Sequence, residues 1–217
     1  MFEEIIFKDR RDAALKLSKF LDKYRTENLI VFGIPRGGVE IGYYIAQKLE
    51  CLLEVTIPRK IGAPFQPELA VGAVAEDGTI YIEEEVAEFV GISKEYVSSA
   101  ARRELEVIKK RIELYREGKD IPQLSQYNVI VVDDGIATGA TMIATLRFLR
   151  KKNPIKLVCG TPVAPSETIH KLWKEADDVV CLETPTPFYA IGQFYKDFRQ
   201  LTDEEVLNYL SSSRRLI

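Results

Sequence analysis

Histidine and cysteine are scarce in this sequence. The 217 residues include one histidine, His170, and three cysteines, Cys51, Cys159 and Cys181. The cysteines lie far apart, each in an apolar run. Zinc sites need several closely spaced ligands of these types, and disulfide frameworks need paired cysteines. We therefore expect neither a zinc centre nor a disulfide, and we interpret the cysteines as small buried hydrophobic residues.

The sequence also lacks an excess of positive charge and a long apolar run. Its formal net charge is -3 and its pI is about 5.5, so no overall positive field would attract nucleic acid or an anionic membrane. No stretch reaches the roughly eighteen apolar residues of a transmembrane helix. Charged residues recur from Glu3 to Asp12, which argues against a secretory leader. We expect a cytoplasmic protein with no nucleic-acid or membrane partner.

Apolar runs of strand length alternate with stretches of helical period along the chain. This alternation is typical of parallel strands joined by crossover helices. The length and the 46% apolar content suit one domain, residues 1–217. We predict an α/β fold with a central parallel five-stranded sheet and flanking helices. The predicted strands are Leu29 to Phe32, Leu53 to Ile57, Val129 to Val132, Leu157 to Pro162 and Val179 to Leu182.

Helix signals flank these strands. Asp9 can cap a first helix, and Val39 to Leu49 has the spacing of a second. A third runs from about Ala140 to Lys152, where Asn153-Pro154 ends it. The basic cluster at its C-terminal end is interpreted as a solvated face, not a binding patch. That cluster consists of Arg147, Arg150, Lys151 and Lys152.

The segment between the second and third predicted strands, residues 61–127, is longer than one crossover helix requires. It begins with the turn-rich Gly62-Ala63-Pro64 and Gln66-Pro67. A short strand at Thr79 to Ile82 and a short helix at Glu83 to Val90 follow. We interpret the whole segment as a lid or hood.

A longer helix within this segment opens at Ser93 and runs for about six turns. It carries an apolar stripe at helical spacing. The stripe predicts packing against the body of the protein or against a second subunit, so a homodimer stays open. Its members are Val97, Ala101, Leu105, Ile108, Ile112 and Tyr115.

The run from Val129 to Thr141 carries the strongest chemical signal. Four apolar residues lead into Asp133-Asp134, a loop of small residues follows, and a helix begins at once. Consecutive N–H groups in such a loop can approach a phosphate, and Thr138 and Thr141 add hydroxyls beside the positive helix end. The two carboxylates are suited to accept hydrogen bonds from ribose hydroxyls. Each piece also occurs in ordinary turns, but the whole run in this order predicts phosphoribosyl binding.

This run resembles the binding motif of the type I phosphoribosyltransferases: an apolar strand, two acids, and a loop with threonine and glycine. The resemblance implies that Asp133 and Asp134 contact the ribose hydroxyls and act in catalysis. It also implies that the loop holds the 5-phosphate of 5-phosphoribosyl 1-pyrophosphate. The loop residues are Ala137, Thr138, Gly139, Ala140 and Thr141. With Pro35 to Gly38 and Arg59 to Pro64, the chain is similar to a subgroup of predicted phosphoribosyltransferases whose acceptor is unassigned.

A second glycine-containing segment, Gly33 to Gly38, also follows a predicted strand. Two glycines after Arg36 suit pyrophosphate, because backbone N–H groups can approach it and the guanidinium adds charge. The residue order fits neither a dinucleotide fingerprint nor a Walker loop, and a plain turn is the alternative. The resemblance implies a pyrophosphate loop of Arg36, Gly37 and Gly38, in which Arg36 is catalytic. It further predicts a cis or strained peptide bond at or beside Pro35–Arg36.

Arg59 and Lys60, directly after the second predicted strand, are expected to contact the same pyrophosphate, with surface solvation as the alternative. The implied reaction is displacement of pyrophosphate at C1 of the ribose by a nitrogen nucleophile. Mg²⁺ would be brought in by the substrate, so no direct protein ligand for it is assigned. The 61–127 segment would close over the site and exclude water.

Two other functions stay open. One is a regulatory module that binds phosphoribosyl pyrophosphate with little turnover; we expect no DNA-binding domain ahead of Phe32, because the mixed-charge residues there are too few for one. The other is an accessory protein that uses the fold only for assembly. Ligand binding would exclude the second, and pyrophosphate release with an acceptor would exclude the first.

One loop position and one aromatic run bear on the identity of the acceptor. Transferases for 6-oxopurines carry an aspartate three residues after the second acid, where this chain has Ala137. We therefore predict that hypoxanthine, guanine and xanthine are poor acceptors, and that another planar heterocycle or an amine is used. Phe188 and Tyr189 can stack on a flat acceptor, or they can form a hydrophobic lip over the C-terminal helix.

Overall fold

The computed structural model describes residues 5–213. Within them, the strands are β1 (Leu29–Gly33), β2 (Leu52–Val55), β3 (Arg59–Ala63), β4 (Gln66–Val74), β5 (Ile80–Ile82), β6 (Asn128–Val132), β7 (Lys156–Val163) and β8 (Asp178–Glu183). The helices are α1 (Arg10–Leu21), α2 (Gly37–Leu49), α3 (Glu84–Val90), α4 (Lys94–Arg116), α5 (Ala140–Arg150), α6 (Ser166–Leu172) and α7 (Asp203–Ser213).

Five of these strands form the predicted parallel sheet, in the order β2-β1-β6-β7-β8. Gly33 at the end of β1 pairs with both Val55 and Val132, so the carboxyl ends of β1, β2 and β6 lie at one edge. The loops that follow these strands therefore emerge side by side. The strand bounds differ from the predicted ones by one or two residues. β2 stops before Ile57, for example, because the Ile57 N–H donates to the Glu76 carboxylate at 2.8 Å and not to β1.

The central sheet is covered on both faces. Successive residues of β1 alternate between two buried layers: Val31 packs with α1 and α2, and Ile30 packs with α5 and α6. Strands buried on both sides need apolar residues at every position, which explains their continuous Val, Ile and Leu runs. Sequence reasoning assigned no bounds to α6 and α7, whose apolar patterns are short.

Residues 59–82 form a second sheet that was not predicted. β3, β4 and β5 form an antiparallel sheet, so most of the segment expected to be turns is strand. The pairing shifts on both sides of Gly62, where a Cβ atom would lie 2.3 Å from the carbonyl oxygen of Pro67. Gly62 and Pro67 therefore belong to a bulged hairpin, and not to a loop. The predicted short strand and short helix are confirmed as β5 and α3.

Several local predictions are also confirmed. The Asp9 carboxylate accepts a hydrogen bond from the Asp12 N–H at 2.7 Å, and the Ser93 hydroxyl accepts one from the Tyr96 N–H at 3.2 Å. These two residues cap α1 and α4. The apolar stripe of α4 packs against the body of the protein through Val97, Ala101, Ile108 and Tyr115. Among residues 5–213, no helix is both long and apolar enough to cross a membrane.

The cysteines and the basic cluster of α5 behave nearly as predicted. Cys51 and Cys159 are buried, Cys181 is partly exposed, and all three are free thiols. The basic cluster is partly exposed, and three of its four members pair with carboxylates of neighbouring segments, as a solvated face would. These pairs are Arg147 with Glu175 at 2.6 Å, Arg150 with Asp177 at 2.8 Å and Lys151 with Asp77 at 2.9 Å.

Candidate functional site

The loop between β6 and α5 presents a row of backbone donors. Gly139 opens α5 with a φ of 88°, and a Cβ atom there would lie 3.0 Å from Thr168, so the position requires glycine. The Thr168 hydroxyl donates to the carbonyl of Ala137 at 2.6 Å and fixes the loop against α6. Among residues 5–213, we find no protein acceptor for the N–H groups of residues 137–141. Such donors at a helix N-terminus are suited to bind an anion.

A cavity of about 160 Å³ lies in front of this loop. Asp133 lines it from the end of β6, and Lys60 lines it from β3. Ala70 and Ile191 complete its wall. The phosphate loop, one acid and one base predicted from the sequence thus share one space. Within residues 5–213, no three acidic, histidine or cysteine side chains gather closely enough to hold a metal ion.

The two adjacent acids have different surroundings. Asp133 is partly exposed, and its Oδ1 accepts a hydrogen bond from the Asp134 N–H at 2.9 Å. Asp134 is buried, and its Oδ2 accepts a hydrogen bond from Nε of Arg10 at 2.7 Å. The carbonyl of Asp134 accepts a third bond, from the Tyr195 hydroxyl at 2.5 Å. Asp134 is therefore held from two sides, whereas Asp133 faces the cavity.

The pKa values of both acids are perturbed. Burial raises the pKa of Asp133 well above its usual range, and the charge of Asp134 raises it further. Burial also raises the pKa of Asp134, although the Arg10 guanidinium opposes that effect. Arg10 thus compensates one of the two negative charges that this short segment brings into the protein.

The predicted pyrophosphate loop lies directly behind the acids. A Cβ atom at Gly37 would fall 1.8 Å from Oδ2 of Asp134, and one at Gly38 would fall 2.7 Å from the carbonyl oxygen of Val132. Both positions therefore require glycine for the start of α2 to approach the end of β6. The Pro35–Arg36 peptide bond is cis, as predicted. Arg36 contacts the C-terminal segment: its guanidinium donates to Gln200 at 3.3 Å and lies 3.9 Å from Asp203.

Arg59 and Lys60 lie within strand β3, and not in the loop that was expected after the second strand. Arg59 donates to the Glu104 carboxylate at 2.8 Å, and it does not line the cavity. Lys60 lines the cavity and donates to the carbonyl and the carboxylate of Glu68, at 3.1 and 3.2 Å. The structure thus brings Lys60 to the phosphate loop and leaves Arg59 on the side of α4.

The aromatic pair proposed for the acceptor lies apart from the cavity. Phe188 is half-buried, and its ring centroid is 5.0 Å from that of Phe194. Tyr189 is 78% exposed. Among the described residues that line the cavity, the one from this region is Ile191, whose side chain packs over Gly135. The packing of Phe188 favours the hydrophobic-lip interpretation for that residue.

Sequence reasoning missed Arg10 as a residue of the site. The available signal was its helical position, because Arg10 is three, four and seven residues before Ala13, Ala14 and Leu17, which form the buried face of α1. A charged residue on such a face calls for a buried partner. Tyr195, whose hydroxyl holds the Asp134 backbone, was also not predicted as a residue of the site.

Comparison with known proteins agrees with this geometry. Residues 6–199 match the family model described as "Phosphoribosyl transferase domain". The chain is 37% identical over 210 residues to the Mycobacterium tuberculosis proteins "Putative phosphoribosyl transferase Rv0571c" and "Putative phosphoribosyl transferase MT0597". That match covers 97% of this chain and 47% of each relative, so the chain spans about half the length of the curated relatives it matches.

A solved structure shows the same fold. The crystal structure of TT1426 from Thermus thermophilus is 37% identical and superimposes with a TM-score of 0.78. The superposition covers 95% of this chain and 98% of the other. The family is identified by the match to the family model over most of the sequence. The loop between β6 and α5 and the acid pair at the end of β6 agree with it. The chain belongs to the phosphoribosyl transferase domain family.

Proposed function

We propose that this chain transfers the phosphoribosyl group of magnesium 5-phosphoribosyl 1-pyrophosphate to a nitrogen nucleophile of a small acceptor, in cytoplasmic nucleotide metabolism. The observation that carries the proposal is the single cavity shared by the phosphate loop, Asp133 and Lys60. The N–H groups of residues 137–141 hold the 5-phosphate. Asp133 and the Oδ1 atom of Asp134, which is not the oxygen bonded to Arg10, accept hydrogen bonds from the ribose hydroxyls.

In the proposed reaction, a lone pair on the acceptor nitrogen forms the bond to C1 of the ribose. The bond from C1 to the pyrophosphate oxygen breaks, and pyrophosphate leaves with that electron pair as its magnesium complex. The leaving pyrophosphate takes up the proton that the acceptor nitrogen loses. Arg36, Arg59 and Lys60 stabilise the leaving group, beside the backbone of Gly37 and Gly38. Arg59 and Lys60 exchange their present carboxylate partners for pyrophosphate oxygens in this step.

The closing element of the proposed lid is the hairpin tip between β3 and β4. Phe65 at the tip is 99% exposed, whereas the carboxyl half of β4 and one face of α4 are buried in the body. The Lys60–Glu68 contact lies next to this tip. Closure of the tip over bound substrate covers Phe65 and excludes the water that competes with the acceptor.

A melting experiment tests ligand binding. Magnesium phosphoribosyl pyrophosphate at a hundredfold excess over its Kd stabilises the folded state by about 2.7 kcal/mol, which raises the melting temperature of a chain of this size by roughly 5–11 °C. The Asp133→Asn/Asp134→Asn variant should lose this shift. An unchanged wild-type melting temperature at millimolar ligand and magnesium would overturn the proposal. Binding without pyrophosphate release for any purine, pyrimidine or amine acceptor would instead indicate the regulatory module.

The acceptor prediction follows from Ala137, which offers no group to handle a proton on a 6-oxopurine. Hypoxanthine, guanine and xanthine should give little pyrophosphate release. A kcat/KM of order 10⁴ M⁻¹s⁻¹ or more with any of them would contradict this. Once an acceptor is found, Tyr189→Ala should raise its KM if the exposed ring stacks on it. Phe188→Ala is the matched control, because that ring already packs on Phe194 and its loss should lower mainly the melting temperature.

A further inference from the structure

Arg10 is a buried cation that the proposed reaction leaves without a role. It lies in the first turn of α1 and is 7% exposed. Three contacts hold its guanidinium. Nε donates to Oδ2 of Asp134 at 2.7 Å, Nη1 donates to the carbonyl of Arg199 at 2.9 Å, and the guanidinium carbon lies 4.2 Å from the ring centroid of Phe198. A side chain with so many rotatable bonds is therefore fixed in one orientation.

The Asp134 carboxylate is fixed between Arg10 and the pyrophosphate loop. A Cβ atom on Gly37 would lie 1.8 Å from its Oδ2, so that oxygen touches the loop backbone as well as Arg10. The Tyr195 hydroxyl holds the backbone of the same residue at 2.5 Å. Any rotation of this carboxylate therefore breaks the contact with Arg10 or collides with the start of α2.

Among the charged groups around Arg10, Asp134 is the nearest partner. Asp133 adjoins Asp134 in sequence and faces the cavity. The Glu40 carboxylate of α2 lies 3.9 Å from Nη1 of Arg10, and it also accepts a hydrogen bond from the Tyr209 hydroxyl at 3.1 Å. Arg199 forms its own pair with Glu205 at 2.6 Å. Among residues 5–213, Arg10 is the cation that forms an ion pair with Asp134.

We propose that Arg10 is a positioning residue, which keeps Asp134 ionised and oriented so that the acid pair can accept both ribose hydroxyls of the substrate. This inference rests on the proposed function and deepens it. Arg10 does not touch the substrate; it acts through Asp134. Without the guanidinium, the adjacent carboxylates of Asp133 and Asp134 would repel each other uncompensated, and one of the two acids would bind a proton near neutral pH. A protonated acid is a poorer acceptor for a hydroxyl, so binding of the ribose would become dependent on pH.

The test compares Arg10→Gln with Arg10→Lys and with the matched control Arg11→Met. Glutamine keeps hydrogen-bond donors without the charge, and lysine keeps the charge. Arg11 is on the same turn of α1 but is exposed and lies over the Tyr44 ring. The Kd of magnesium phosphoribosyl pyrophosphate is measured by calorimetry from pH 6 to 9. We expect Arg10→Gln to weaken binding about tenfold to a hundredfold at pH 7, and less at pH 9, where the acid ionises unaided.

Two further measurements make the outcome specific to positioning. In an Asp134→Asn background, Arg10→Gln should change the Kd by less than about twofold, because its effect passes through that carboxylate. Arg10→Lys should restore most of the affinity and the pH profile of the wild type, and Arg11→Met should match the wild type. A folded Arg10→Gln variant with wild-type affinity at every pH would overturn the inference. A wild-type protein that binds no ligand would instead overturn the proposed function.

A measurement on the wild-type chain decides the matter if Arg10→Gln does not fold. Carboxyl carbon-13 NMR, with Asp134 assigned from the spectrum of Asp134→Asn, follows its titration directly. We expect the Asp134 resonance to stay at the ionised position from pH 6 to 8. Protonation of Asp134 within that range would overturn the inference.

Discussion

Two buried arginine–carboxylate pairs, Arg10–Asp134 and Arg116–Glu76, resemble each other in burial and differ in completeness. Both partners of each pair are largely excluded from solvent. Arg10 uses Nε for Asp134 and Nη1 for a carbonyl. Arg116 uses Nη2 for Glu76, and within residues 5–213 its Nε and Nη1 have no hydrogen-bond partner. The pair beside the cavity is thus the better satisfied of the two.

The two arginine–carboxylate pairs also lie at different places in the fold. Arg116 connects the end of α4 to the turn after β4, and Glu76 also accepts the Ile57 N–H at 2.8 Å. Neither residue is next in sequence to a residue that lines the cavity, whereas Asp134 lies between Asp133 and Gly135, which both line it. Burial raises the pKa of Glu76, and Arg116 opposes that effect, as Arg10 does for Asp134. An ion pair of this kind is a weak stabiliser as a whole, but breaking it exposes the full cost of a buried charge.

The largest expected effect comes from breaking the pair that is remote from the cavity. Arg116→Met leaves the Glu76 carboxylate buried without its cation and should lower the free energy of unfolding by about 3–5 kcal/mol. Urea denaturation at pH 7 measures this. The matched variant Arg116→Met/Glu76→Gln removes both charges, keeps an acceptor for the Ile57 N–H, and should recover most of the loss. A single variant within about 0.5 kcal/mol of the wild type would show that Glu76 is solvated or protonated in the folded state.

A smaller effect, of opposite sign, is expected at the acid that has no arginine. The raised pKa of Asp133 means that its carboxyl contributes stability at acid pH, which is lost as the pH rises through that pKa. At pH 7, Asp133→Asn should therefore stabilise the ligand-free protein by about 0.5–2 kcal/mol, while it weakens ligand binding. The gain should disappear near pH 4, around the pKa of the unfolded chain.

Asp134→Asn is the control for that prediction, because it removes the partner of a buried guanidinium and should destabilise the free protein. The two neighbouring substitutions should thus move the melting temperature in opposite directions at pH 7. Equal destabilisation by both substitutions would contradict this prediction. It would show that hydrogen bonds stabilise the ionised Asp133 as strongly as they stabilise Asp134.

The central sheet and the loop between β6 and α5 could be predicted from the sequence because their signals are local. Continuous apolar runs mark strands that are covered on both faces, and the acid pair with its small-residue loop occupies consecutive positions. The hairpin of β3 and β4 could not be predicted in this way. Its Gly62 and Pro67 are ordinary turn signals, and only the close approach of the two strands explains them.

The partner of Asp134 was equally hidden, because Arg10 is 124 positions away in the chain. Nothing near the acids in sequence indicates which cation folds back onto them. The buried face of α1 shows that Arg10 needs a partner, but not which one. The same limit applies to Arg59 and Lys60: their charge suggested a pyrophosphate site, whereas the strand pairing of β3 decided that Lys60 lines the cavity.

The smallest expected effect concerns a third ion pair, whose lysine is more exposed than either arginine of the two buried pairs. Lys171 of α6 donates to the Glu83 carboxylate at 2.6 Å and joins α6 to the segment between β5 and α3, with the lysine side chain 37% exposed. Lys171→Met should cost about 1 kcal/mol or less, because solvent screens the lysine and the Tyr81 hydroxyl still donates to Glu83 at 3.1 Å. Lys174→Met changes an exposed lysine one turn further on and should have no measurable effect on stability.

Salt distinguishes this pair from the buried ones. In 1 M salt, where the Debye length falls to about 3 Å, the cost of Lys171→Met should nearly vanish. The cost of Arg116→Met should persist, because its buried pair is little screened. A loss of stability for Lys171→Met that does not depend on salt would show that this pair behaves like the buried ones. The cost of breaking an ion pair would then not follow the exposure of its side chains.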